Sequence, residues 1–190
     1  MNDAEKNKPI VFGFWLYLMS DCLLFAALFA TFAVLRGNTF GGPNAEDLLN
    51  LPFVLAETLI LLISSFAMGM ALLSATASKT RATVLWLSLT FLLGVSFLVL
   101  EVHEFAGLIA AGNGPSTSGF LSAFFALVGT HGLHVAGGLL WMLLIGAHLW
   151  RKGITEENLR RLTLAALFWH FLDVIWVCIF SIVYLLGATL

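Results

Sequence analysis

Five apolar runs, each at least as long as the roughly 20 residues a membrane-spanning helix needs, decide what this chain can fold into. In hydrocarbon a backbone N–H or C=O finds no water, so each segment must bond to itself as a helix or join a closed barrel. Barrel strands are about 10 residues of alternating polarity, less than half the length of these runs. The sequence therefore predicts an all-α membrane protein, a bundle of five transmembrane helices near 10–35, 53–77, 82–109, 119–150 and 162–187. The fourth is long enough to tilt or to protrude from the bilayer. Composition agrees: 60% of the 190 residues are hydrophobic, 11% are charged, and the mean hydropathy is +0.98. Soluble domains run nearer about 45–50% apolar and about 25% charged, so lipid must cover much of this surface.

Breakers separate the runs. Gly41-Gly42-Pro43 and Asn50-Leu51-Pro52 fall in the first connection, Ser78–Arg81 in the second, and Asn113-Gly114-Pro115 in the third. Thr155-Glu156-Glu157-Asn158 reads as a charged interfacial turn before the last helix. Every connection is short, so residues 1–190 read as a single transmembrane domain with no soluble part appended. The first run is too long for the core of a cleaved signal peptide and reads as a retained span. No internal repeat is visible, which counts against an inverted-repeat transporter.

Cations set the expected orientation. Lys6, Lys8, Lys79, Arg81, Arg151, Lys152, Arg160 and Arg161 fall in alternate connections on one side, and only Arg36 on the other. The positive-inside rule then puts the N-terminus in the cytoplasm and the C-terminus in the periplasm. Trp15, Trp86 and Trp150 sit near the expected inner boundary, as an aromatic belt would. A net charge near −2 gives no electrostatic case for nucleic acid. Cys22 and Cys178 lie within apolar spans and read as small core residues rather than a disulfide.

Ionisable groups inside the spans are the functional clue, because each costs about 2.5–3.5 kcal/mol at the bilayer centre unless it faces protein or water. At about 1.5 Å per residue they sort into two layers. Asp21, His131, His134, His170 and Asp173 share the inner half, with His131/His134 and His170/Asp173 three apart on one helix face. Glu57, Glu101, His103 and Glu104 form an outer layer, shallow enough to be partly hydrated. The plainest reading is interhelical hydrogen bonding; groups at one depth could also relay protons. A di-iron site would want Glu-x-x-His twice, and the sequence has none. Bis-His haem ligation would need His from two helices at one depth, and His103 lies at another. The spacing Gly129-x-x-Gly132, with Gly137-Gly138, predicts close approach of a neighbouring helix.

Three segments carry a resemblance: Phe12–Asp21, Ser118–Val135 with His131-Gly132-Leu133-His134-Val135, and Phe168–Trp176 with Trp169-His170-Phe171-Leu172-Asp173-Val174-Ile175-Trp176. Over nearly its whole length the chain resembles subunit III of the haem–copper terminal oxidases, and within that family the bacterial cytochrome bo-type ubiquinol oxidase branch. The resemblance implies a non-catalytic subunit, without redox centres, of a complex that oxidises quinol, reduces oxygen to water and pumps protons. It implies haems and copper in subunit I and no cofactor here, with bound phospholipid in a V-shaped cleft. The implied partners are subunit I mainly, with subunits II and IV, in the bacterial inner membrane. In the cytochrome c oxidase branch the position matching Asp21 is usually Glu, near the proton-uptake side. The alternatives are subunit III of a cytochrome c oxidase, a small proton-coupled transporter, and a membrane b-type cytochrome.

Overall fold

A computed structural model describes residues 3–40 and 50–186. It contains five long helices: α1 (Asp3–Leu35), α2 (Leu51–Thr76), α3 (Thr80–Ala110), α4 (Gly119–Lys152) and α5 (Glu156–Ile179), the last continuing as a π-helical segment, Phe180–Leu185. All five are long and apolar enough to cross a membrane, α5 together with its π-helical continuation. The Gly41-Gly42-Pro43 turn and the last residue of the predicted fifth span lie outside the described residues.

The helices overrun their predicted bounds because hydropathy ends before hydrogen bonding does. Thr155-Glu156-Glu157-Asn158 is the start of α5 rather than a turn before it: the Thr155 hydroxyl accepts from Asn158 N–H at 3.2 Å. Asn158 in turn donates its side-chain amide to the Gly153 carbonyl, and Arg161 pairs with Glu157 one turn away. Ser118 caps α4 in the same way, accepting from Leu121 N–H at 3.1 Å. Gly112 and Gly153, just past the ends of α3 and α4, have φ of +82° and +66°, a left-handed backbone that a Cβ disfavours.

Neighbours in sequence pack as neighbours in space. α2 lies along α3, α3 along α4, α4 along α5, and α5 closes the ring back to α2. α1 lies outside this ring against α4 and α5, attached by one stripe: Leu18, Asp21, Phe25 and Phe32 are its buried residues. The Asn38 carbonyl, just beyond α1, accepts from Phe120 N–H and ties that end to the start of α4. Cys22 stands one residue off the α1 stripe and is exposed, and Cys178 is half-buried, so neither is the core residue expected. Trp15 and Trp150 are exposed, while Trp86 is half-buried against the Phe66 ring.

Small residues set the helix spacing. A Cβ on Gly138 would meet the Trp169 and Phe168 rings at 3.2–3.3 Å, and one on Gly132 would meet the Glu101 carboxyl at 2.6 Å. Gly129 and Gly137 have room, so only half of the predicted glycine set is used for close approach. Gly94, which no motif singled out, is the tightest against a ring: its Cβ would lie 2.8 Å from both Leu139 and Trp169. Trp169 is buried and cannot yield. Gly94→Ala should therefore destabilise the ring by about 1–3 kcal/mol, the usual cost of overpacking. Exposed Gly107→Ala, in open space, should be neutral or gain about 0.5–1 kcal/mol from helix propensity. Thermal midpoints of the two variants in the same detergent check this.

Candidate functional site

The polar residues of the spans fall into three groups that sequence depth alone does not separate. The first is a ladder between α2 and α5. Trp176 Nε1–H donates to the Thr58 hydroxyl at 3.1 Å, and Trp169 Nε1–H donates to the Ser64 hydroxyl at 3.1 Å. The Ser65 hydroxyl meets His170 Nδ1 at 2.7 Å, and the Asp173 carboxyl stands beside it with Oδ1 unpartnered among the described residues. From Thr58 to Ser64 along α2 the α5 partner falls from Trp176 to Trp169, as an antiparallel pair requires. His170 and Asp173 do share a face, as their spacing predicts, but what joins them to the bundle is Ser65. No sequence motif marked Thr58, Ser64 or Ser65. The available signal was Thr58 and the Ser64-Ser65 pair, hydroxyls in an otherwise apolar stretch of α2.

The second group joins α1 to α4. Asp21 Oδ2 lies 3.7 Å from His134 Nε2, with the Tyr17 side chain beside it one turn away on α1. His134 Nδ1 lies 2.7 Å from the Thr130 carbonyl, so it carries a proton and donates. Nε2 is therefore the nitrogen that faces the acid, and one further proton can sit on either partner. Both side chains keep a little exposure, at the edge of a furrow of about 430 Å³ lined by Tyr17, Leu133, His134, Gly137, Trp141 and Phe168.

His131 does not pair with His134 as the three-residue spacing suggests. It turns inward, fully buried, stacked 5.2 Å from Trp176 and edge-on to Phe97, and neither ring nitrogen has a hydrogen-bond partner among the described residues. Aromatic rings enclose it on several sides, which suits packing and leaves no room for a ligand.

The third group corrects the expectation of a hydrated outer layer. Glu57 and Glu101 are 0% and 2% exposed, and their carboxyl oxygens have no partner among the described residues. Glu104 is half-buried and accepts from the Tyr184 hydroxyl at 3.1 Å. The expected hydration fails because enclosure comes from two other elements. Gly132 of α4 seats the Glu101 carboxyl, and the π-helical turn brings Tyr184 inward. His103 is exposed and stands apart from these acids.

Among the described residues no three His, Cys, Asp or Glu side chains are grouped as a metal ion would require. The fold and its polar interior define a class: a multi-span membrane protein with titratable groups enclosed among its helices. The sequence profile of cytochrome c oxidase subunit III matches residues 3–188. The chain is 56% identical over 184 residues to the cytochrome bo(3) ubiquinol oxidase subunit 3 of Pseudomonas aeruginosa, covering 97% of this chain and 88% of that one. It is 44% identical over 186 residues to the cytochrome c oxidase subunit 3 of Bacillus sp. PS3 (98% and 90%). It is 40% identical over 184 residues to the quinol oxidase subunit 3 of Bacillus subtilis (97% and 90%). The chain belongs to the cytochrome c oxidase subunit III family, the third subunits of the haem–copper oxidases.

The ladder gives a direct test of what holds α5. Thr58→Val keeps the shape and leaves Trp176 Nε1–H without its acceptor, a loss of about 1–3 kcal/mol if that group stays dry. Trp176→Phe removes the donor as well, so a double-mutant cycle on detergent unfolding should show positive coupling between the two positions. Strict additivity would mean that the hydrogen bond contributes nothing.

Proposed function

We propose that this chain is the non-catalytic third subunit of a proton-pumping ubiquinol oxidase in the bacterial inner membrane, one that oxidises quinol and reduces oxygen to water. Identity carries the reading: likeness to a ubiquinol oxidase subunit reaches 56% over 97% of this chain, against 44% to a cytochrome c oxidase subunit. The proposed partners are subunit I mainly, which would hold the haems and copper, together with subunits II and IV. The positive-inside rule places the N-terminus in the cytoplasm, with Lys79, Arg81, Arg151 and Lys152 on that side.

Three jobs suit the geometry. Stable anchoring beside subunit I aids assembly. Apolar furrows favour phospholipid: one runs between α1, α4 and α5, and another between α3 and α4 ends at Arg81 and Trp150. The Asp21–His134 pair can hold and release a proton at the seam of α1 and α4, which suits support of proton uptake. The second reading, a subunit of a cytochrome c oxidase, is favoured by the Bacillus sp. PS3 relative.

Purification of the complex through this chain tests both. A larger haem-bearing subunit should come with it, and oxygen uptake driven by quinol rather than by reduced cytochrome c decides between the branches. Within that complex, Asp21→Asn should leave the subunit in place while slowing proton uptake or shortening the active lifetime. Unchanged turnover and lifetime would reduce Asp21 to a packing residue.

A further inference from the structure

The acids in the middle of the bundle are not equally provided for. Asp21 faces an imidazole that can become a cation, and Glu57 and Glu101 are enclosed by other helices. Asp173 is only half-buried, beside Ser65 and the His170 ring, and its Oδ1 has no hydrogen-bond partner among the described residues. It sits about 18 Å from the Leu185 end of α5 and about 25 Å from the Glu156 end, at about 1.5 Å per residue. Lipid phosphates and glycerol lie about 15 Å from the midplane, so no headgroup reaches this depth.

The chemistry of the acid narrows what could cover it. The Ser65 hydroxyl meets His170 Nδ1, and Asp173 Oδ1 has no hydrogen-bond partner among the described residues. An ionised carboxylate only accepts, and at the bilayer centre it is costly unless it faces protein or water. Acyl chains offer no donors.

The surrounding surface has the form of a seat for a helix. On α5, His170, Asp173, Val174 and Val177 form one stripe, with Val174 61% and Val177 39% exposed. Beside it on α2, Leu62, Ser65 and Gly69 share a face, and the space over Gly69 is open. Small residues of this kind let a helix backbone come close.

We propose that this α5–α2 face seats a transmembrane helix of another subunit, which supplies a side-chain hydrogen-bond donor to Asp173 beside His170. The inference rests on the reading of this chain as an oxidase subunit and names the face by which it docks.

The test uses the assembled complex with Cys22 and Cys178 replaced by alanine. Single cysteines are placed by Val174→Cys and Gly69→Cys on the face, and by Val99→Cys, exposed midway along α3, as a reference. A membrane-permeant thiol reagent should modify the first two about tenfold more slowly than the third, since a buried interface excludes it. Equal rates at all three would mean that lipid covers the face and would overturn the proposal. Independently, Asp173→Leu should weaken retention of the subunit about threefold to tenfold, the range expected for a polar contact between membrane helices. Asp173→Asn, which keeps an acceptor oxygen, should lose less. Undiminished retention in Asp173→Leu would also overturn it. If the unsubstituted chain does not purify with a haem-bearing partner, the functional reading itself falls. If it does and the face is freely modified, only the docking face is wrong.

Discussion

Polar groups in a hydrocarbon bundle must find partners within the protein, and the α2–α5 hydrogen-bond ladder is where this chain meets that constraint most directly. Three residues of α2 offer hydroxyls, and α5 answers with two indoles and an imidazole. A hydrophobic driving force does not distinguish one apolar helix from another once all are in lipid. Directional bonds do, because only one register satisfies all of them together. With α2 and α5 fixed, α3 and α4 complete the ring, and their depth of approach follows from Gly94, Gly132 and Gly138.

The same requirement explains why histidines that look alike in the sequence do different things. His131 and His134 are three residues apart, yet one is sealed among aromatic rings while the other opens to Asp21 across a helix seam. His170 is held through a serine. The pair at the α1–α4 seam combines an acid and a base beside a furrow, and the proposed support of proton uptake rests on it.

Much of this was legible in the residues. The five runs fixed the number of helices, because hydrocarbon leaves a backbone no alternative, and the motifs around His131, His134, His170 and Asp173 carried the family. Partners were less legible. Spacing along one helix says which residues share a face, and nothing in it says what another helix places opposite. Hence Ser65 as the link to His170, Gly94 against Trp169, and the enclosure of Glu101 by Gly132 emerge only from packing. Helix ends were misjudged for a simpler reason: Thr155 caps α5 in a polar segment, where hydropathy is silent but hydrogen bonding continues.

The π-helical turn has a consequence for how the end of the chain is to be understood. Its bonds span five residues, as from Leu186 N–H to the Ser181 carbonyl, so the helix carries in effect one extra residue. Side chains beyond it are set back by one position, so Tyr184, eight residues after Trp176, is buried as Trp176 is. An unbroken α-helix of the same length would carry Tyr184 onto the face of Val177, which is 39% exposed, and Glu104 would lose its donor. The wider turn is thus what keeps the phenol inside the protein.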